Sequence, residues 1–172
     1  IHAVNGILFN HESPLRGEEF ITRKITLGLA KIYLNKKKTL KVGNIYAKRD
    51  WGFAQDYVEA MWMMVQAKKP DDFVIATGKS YSVKQFINEC IKVLKLNAKW
   101  VGKGINEKLI NIENKKILVS IDKRFFRPSE VDNLKGDYSK AKRKLKWKPK
   151  TSFSKLVKMM VESDLELVKK LY

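Results

Sequence analysis

Two arginines flank two aromatics in Arg124-Phe125-Phe126-Arg127, and Pro128-Ser129-Glu130-Val131-Asp132 follows with two carboxylates. A guanidinium forks onto paired phosphate oxygens and a carboxylate accepts from ribose hydroxyls, so this constellation suits a nucleoside diphosphate. An interface hot spot has a similar composition. A second cluster, Asn10-His11-Glu12-Ser13-Pro14-Leu15-Arg16-Gly17, directly follows an apolar run. Polar loops beyond the carboxyl end of a strand are where open α/β sheets bind ligands, although the same residues also make an ordinary turn into a helix. In Lys48-Arg49-Asp50-Trp51, Arg49 either clamps a phosphate or ribose, or pairs at the surface with the carboxylate beside it for little energy. Lys24, beside Arg23 among apolar helical neighbours, reads as a snorkelling lysine or as a further source of positive charge.

Several kinds of chemistry are poorly served. Gly102-x-Gly104 meets Glu107 where a dinucleotide turn needs its third glycine, and there is no Gly-x-x-x-x-Gly-Lys loop. One cysteine and two histidines do not make a zinc site of the usual structural type, and no Gly-x-Ser-x-Gly elbow supports a serine nucleophile. The net charge of +18 could mark a nucleic-acid or polyanion footprint. Yet of the 36 basic residues only Arg16, Arg23, Arg49, Arg124, Arg127 and Arg143 are arginines, the type that reads phosphates and bases bidentately. A lysine-rich solvated face is the favoured reading.

The elements that must position these clusters alternate between strand and helix. Ala3 to Phe9 suits a buried strand, and Phe73 to Ala76 another, closed by Thr77-Gly78. Ile21, Ile25, Leu29 and Ile32 recur at helical spacing, and Lys36-Lys37-Lys38 complements that helix's carboxyl end. Leu40 to Gly43 alternates like an edge strand. Val58, Met61, Trp62 and Val65 form one stripe of a second helix. Ser82 with Gln85 has capping-box spacing, ahead of a stripe of Val83, Phe86, Ile87, Cys90 and Leu94 that makes Cys90 a buried hydrophobe. Trp100 to Ile121 reads as an irregular segment with a hairpin, Asp137 as the cap of a short basic helix, and Ser152 as the start of the last helix. No apolar stretch reaches the roughly 18–20 residues of a membrane span, no signal peptide is seen, and the lone cysteine fits a reducing, cytoplasmic setting.

Together these stretches resemble the second half of the GDP-mannose 4,6-dehydratase family, extended short-chain dehydrogenases/reductases. The resemblance is carried by Gly6-Ile7-Leu8-Phe9-Asn10-His11-Glu12-Ser13-Pro14, Arg16-Gly17-Glu18 and Thr22-Arg23-Lys24-Ile25. It continues in Gly43-Asn44, Lys48-Arg49-Asp50-Trp51-Gly52-Phe53-Ala54, Asp56-Tyr57-Val58-Glu59-Ala60-Met61-Trp62 and Val74-Ile75-Ala76-Thr77-Gly78. Arg124 to Asp132, Lys140-Ala141-Lys142 and Trp147-Lys148-Pro149 complete it.

The resemblance implies an α/β fold: the last strands of a Rossmann-like parallel sheet, at about 3–9 and 73–76, plus a small mixed α/β substrate-binding domain. Residues 1–172 would then be the C-terminal portion of such an enzyme, without the NADP-binding half. It implies oxidation of the mannose C4 by bound NADP, loss of water across C5 and C6, and return of the hydride to C6. Asn10 matches a substrate-binding asparagine; Lys24, Arg49, Arg127 and Glu130 match positions that hold the GDP portion; His11 and Arg16 match positions close to the cofactor. A homo-oligomer, dimer or tetramer, is implied for the complete protein. The family's cofactor loop, Thr/Ser-x-Glu pair and Tyr-x-x-x-Lys all fall upstream of residue 1, so no catalytic residue is expected here and the chain alone is expected to be inactive. Tyr33/Lys37 and Tyr138/Lys142 satisfy that spacing by chance in a lysine-rich chain. Another nucleotide-sugar reductase or epimerase, or a basic nucleic-acid or polyanion module, are the alternatives. Strands that lack their sheet neighbours predict marginal stability or aggregation for the isolated chain.

Overall fold

The computed structural model describes residues 1–126, Ser129 and residues 131–172. In chain order the first elements are β1 (Asn5–Leu8), β2 (His11–Glu12), α1 (Ile21–Tyr33), β3 (Leu40–Val42), β4 (Lys48–Arg49), β5 (Gly52–Phe53) and α2 (Ala54–Val65). Then come β6 (Asp72–Ile75), β7 (Tyr81–Ser82), α3 (Val83–Val93), β8 (Ala98–Val101), β9 (Lys108–Asn111), β10 (Ile117–Ile121), α4 (Ser139–Leu145) and α5 (Phe153–Leu171). They form two compact units: one of Ile1–Ser13, Lys48–Tyr81 and Asn133–Leu156, the other of Pro14–Ala47, Ser82–Asp132 and Val157–Tyr172.

In the first unit β1 and β6 pair in parallel, from Asn5 opposite Asp72 to Leu8 opposite Ile75, with α2 as the intervening helix. The core beneath them is Tyr57, Ala60 and Met64 of α2, Phe73 and Ile75 of β6, Ala141 and Leu145 of α4, and Trp147. Trp147 donates its indole N–H to the Asp56 carbonyl at 2.9 Å, and the Asp56 carboxylate accepts from Lys150 N and Thr151 N at 3.0 and 2.8 Å. The loop beyond α4 is thereby tied to the first turn of α2.

The second unit pairs β3 in parallel with β10, β10 antiparallel with β9, and β9 antiparallel with β8. On α1 the helical stripe is buried at Ile25, Leu29 and Ile32, and on α3 at Val83, Phe86, Ile87 and Cys90. Burial pushes the Cys90 thiol well above its usual pKa, which suppresses the reactive thiolate. Ser82 and Gln85 close the expected capping box. Asp137 accepts from Ser139 N at 2.9 Å, just ahead of α4.

Three expectations are corrected. The stripe Val58, Met61, Trp62 and Val65 faces outward, Trp62 being 68% exposed; Tyr57, Ala60 and Met64 take the buried side, because α2 carries apolar residues on two faces. The Ala3–Phe9 run does form a strand, at Asn5–Leu8, but not a buried one: Ile7 is 57% exposed, since β6 is the only strand paired to β1 among the described residues. Trp100 to Ile121 holds the expected hairpin, β9 with β10 closed through Lys115 at a positive φ of 58°, but it is more regular than expected, since β8 pairs with β9 as a third strand.

Within the first unit Gly136 has no room for a side chain, since an added Cβ would meet Ala76 Cβ and the Phe9 ring. Gly136→Ala is therefore expected to destabilise the chain by about 1–3 kcal/mol in urea unfolding, through overpacking. The Tyr57 hydroxyl is buried with no hydrogen-bond partner among the described residues. Tyr57→Phe, which removes an unsatisfied group, should leave the unfolding midpoint unchanged or raise it; a clear loss of stability would refute the assignment.

Candidate functional site

Asn10 and His11 sit where the chain leaves β1. The Asn10 carbonyl accepts from Gly52 N at 2.9 Å, and His11 stands opposite Gly52 in the short β2–β5 parallel pairing. The His11 Nδ1 lies 3.0 Å from the Phe9 carbonyl, which can only accept, so Nδ1 carries the proton. The ring packs tilted on Tyr57, with centroids 5.3 Å apart. Asn10, His11 and the Arg49-to-Gly52 turn are thus brought together by backbone pairing, although far apart in sequence.

Asp50 decides the shape of that turn. It is fully buried; one carboxylate oxygen accepts from Thr77 N and Thr77 Oγ1 at 2.8 and 2.6 Å, the other from Gly78 N and Gly136 N at 2.9 and 3.2 Å. The surface ion pair weighed for Arg49 and Asp50 is replaced by an inward carboxylate that fastens three loops. Arg49 is left at the edge of the turn, its guanidinium donating to the Lys48 carbonyl at 2.8 Å. Trp51 is buried and stacked on Phe153, with centroids 6.3 Å apart, and Phe153 in turn stacks on Tyr81 at 3.8 Å. The turn therefore sends the adjacent Asp50 and Trp51 inward and keeps Arg49 at the rim.

In the second unit Arg16 and Lys24 are held by aromatic rings. The Arg16 guanidinium lies 3.5 Å over the Phe20 ring, and the Lys24 ammonium 3.4 Å over that of Phe125. Partial burial lowers the Lys24 pKa, helped by repulsion from Lys37 and opposed by Asp122. Arg23, next to Lys24, is buried. Its Nε donates to buried Asp164 at 2.7 Å, and its Nη1 to the carbonyls of Pro14 and Arg16, bracing the loop that carries Arg16. Thr26 donates to the second Asp164 oxygen at 2.6 Å. Arg124 forks back onto Asp122 at 2.7 Å, which holds that carboxyl down to about 2, so this arginine is engaged within its own turn. Arg127 and Glu130 lie outside the described residues.

Sequence reasoning also missed a buried polar cluster. Glu107, 4% exposed, accepts from Lys84 Nζ at 2.5 Å and from the Tyr46 hydroxyl, while Lys84 lies 5.1 Å from the Trp100 ring centroid. The signal was there in Glu107, a carboxylate between short apolar runs, but its partners are distant in sequence.

Over residues 1–160 the chain matches the profile of the GDP-mannose 4,6 dehydratase family. GDP-mannose 4,6 dehydratase 1 of Arabidopsis thaliana is 56% identical over 170 residues, covering 99% of this chain and 42% of the relative. The Homo sapiens GDP-mannose 4,6 dehydratase is 51% identical over 169 residues, covering 98% and 45%. The chain thus spans under half the length of these relatives and aligns with their C-terminal portion. RMD from Pseudomonas aeruginosa, solved with NADPH, superposes with a TM-score of 0.75 at 13% identity over 96% of this chain and 48% of its own. UDP-glucuronic acid 4-epimerase from Bacillus cereus, solved with UDP-glucuronic acid and NAD, gives 0.70 at 18% over 100% and 46%. At those identities the structures establish the fold, a Rossmann-like α/β arrangement.

The Glu107 cluster sets an acid limit. Burial works to raise the Glu107 carboxyl, but hydrogen bonds from Lys84 and Tyr46 outweigh it and hold the pKa below the glutamate range. A depressed folded-state pKa gives stability that is full above the unfolded value, about 4.3, and lost as pH falls through the depressed one. Urea unfolding between about pH 5 and pH 3 is expected to show a steeper acid decline for the parent chain than for Glu107→Gln. Parallel declines would assign the acid limit elsewhere.

Proposed function

Because the chain belongs to the GDP-mannose 4,6-dehydratase family, we propose that it is the nucleotide-sugar-binding part of a hydro-lyase converting GDP-mannose to GDP-4-keto-6-deoxymannose. The observation that carries this reading is the identity of about half of all positions, over nearly the whole chain, with relatives of that name. Asn10, at the end of β1, contacts the sugar nucleotide; Lys24, Arg49 and Arg127 meet its diphosphate and nucleotide oxygens; Glu130 accepts from ribose. The rim position of Arg49 and the half-buried, ring-held Lys24 support these roles. A net charge of +18 raises the local concentration of such a dianion whichever residues grip it.

The reaction requires NADP, which supplies the hydride acceptor when bound. The described residues fit only its margin: His11 and Arg16 border it, and no glycine-rich turn before a helix is present to cradle a pyrophosphate. The chain's own share is therefore to bind and orient the substrate, not to move the protons at C4 and C5. By itself it binds without turnover. Complete, it works in the cytoplasm as a homo-oligomer, a dimer or tetramer.

The same reading gives the outward apolar surface of the first unit a purpose. We place β1 and β6 as the last strands of a larger parallel sheet, with Ile7 and the α2 stripe of Val58, Met61, Trp62 and Val65 covered by the part of the relatives' length that this chain does not span. The remaining elements make the substrate-binding domain.

Calorimetric titration tests the binding role. GDP and GDP-mannose should bind and NADP should not; Arg49→Ala and Arg127→Ala should each weaken GDP at least roughly tenfold, the value of a charge-assisted bidentate contact. Absence of guanine-nucleotide binding, or equal binding of any polyanion that vanishes at high salt, would remove the reading. Trp62→Glu tests the surface. In this chain it should improve solubility without lowering the melting temperature; in a chain extended by the N-terminal half of a relative it should lower it. No difference between the two contexts would refute the covered face.

A further inference from the structure

We infer that Phe125 is a positioning residue for Lys24, holding its ammonium where a substrate diphosphate arrives; this rests on the GDP-sugar reading above. Lys24 leaves α1 between two buried residues, Arg23 and Ile25, so its root is fixed and only the flexible stem remains to be ordered. The ammonium ends 3.4 Å over the Phe125 ring. That ring is itself placed by backbone contacts. Asp122 N donates to the Val42 carbonyl at 2.8 Å, and Phe125 N to the Asp122 carbonyl at 3.1 Å. The Phe125 carbonyl abuts Gly43 where any Cβ would collide with it, so the end of β3 and the Asp122–Phe126 turn fit together only with glycine there.

The chemistry of the holder matters. A carboxylate beside Lys24 would neutralise it and compete with phosphate, as Asp122 does for Arg124. The face of an aromatic ring attracts the cation through its quadrupole and leaves the full charge for an incoming anion. Lysine otherwise loses much rotamer freedom on meeting a ligand, and a ring that orders it beforehand removes part of that loss from the binding step. Phe125 is 47% exposed, so its replacement removes little from any core.

The test is a double-mutant cycle read by calorimetric GDP affinity in this chain, with Phe125→Leu, Lys24→Met and the pair. Phe125→Leu should weaken GDP roughly two- to fivefold, the range of an exposed cation–π contact. Lys24→Met should weaken it more, and the double variant should match Lys24→Met alone. Phe125→Trp, which keeps a ring face, should restore affinity while Phe125→Leu does not, with melting temperatures unchanged throughout. Equal effects of Phe125→Leu in both backgrounds, or none where Lys24→Met does weaken GDP, would overturn the positioning role and leave the diphosphate reading standing. An unchanged affinity in Lys24→Met would bring down both.

Discussion

A carboxylate removed from water must be given donors by the chain around it, and Asp50 receives them from two loops at once: Thr77 and Gly78 in one and Gly136 in the other all donate to it. Each of those main-chain N–H groups needs an acceptor as much as the carboxylate needs donors, because a buried, unmatched polar group costs roughly 1–3 kcal/mol. The four hydrogen bonds are therefore mutually dependent. They hold the end of β6 and the loop before α4 to the turn that carries Arg49. Gly78, with φ of +75°, and Gly136, with no space for a Cβ, are the backbone conditions that let those loops close on Asp50. The Lys48–Asn133 bridge and the bond from Leu134 N to the Lys48 carbonyl extend the same seam.

The second unit uses the same device around a cation. Arg23 is buried, with Asp164 on one side of its guanidinium and the carbonyls of Pro14 and Arg16 on the other. Burial raises the Asp164 pKa despite the hydrogen bonds from Thr26 and Arg23 that pull it down. Such a pair is weak as a source of stability, since desolvation offsets most of its attraction, but it is specific in geometry. Its effect is to fix the entry into α1, the segment from which Arg16 projects. Asp164 lies beyond residue 160, where the family match ends, so part of the bracing for this loop comes from the last helix.

Periodicity revealed most of the helices and strands because burial and period coincide in α1, α3 and α5. On α2 it misled, since two apolar faces compete and no single-sequence pattern says which one meets the core: Tyr57, Ala60 and Met64 do, Trp62 does not. The β9–β10 hairpin was legible, but β8 as its third strand was hidden beside glycines and lysines; tertiary pairing overrides weak local preference there. Resemblance named Asn10, His11, Arg16, Lys24 and Arg49 as site residues, and the fold places Asn10 and Arg16 on loops, His11 and Arg49 on the short strands β2 and β4, and Lys24 in the first turn of α1, all partly buried. What it did not reveal was the layer behind them. Asp50 sits in the quoted motif, yet its partners lie 27, 28 and 86 residues away, and no local spacing rule reaches that far.

That layer explains a division among the charged residues. Asp50, Asp56, Glu107 and Asp164 are buried and matched by donors from the chain, so they shape loops and are closed to ligands. Lys24 has a ring face against it, a contact that restrains a cation without neutralising it. An anion site built from lysine and arginine must keep its charge and still be ordered before the ligand arrives. Carboxylate partners would give the order and cancel the charge; solvent would keep the charge and give no order. Under the GDP-sugar reading proposed above, the aromatic face against Lys24 meets both conditions, which is why the aromatic residues interleaved with basic ones in this chain carry more weight in that reading than its net charge.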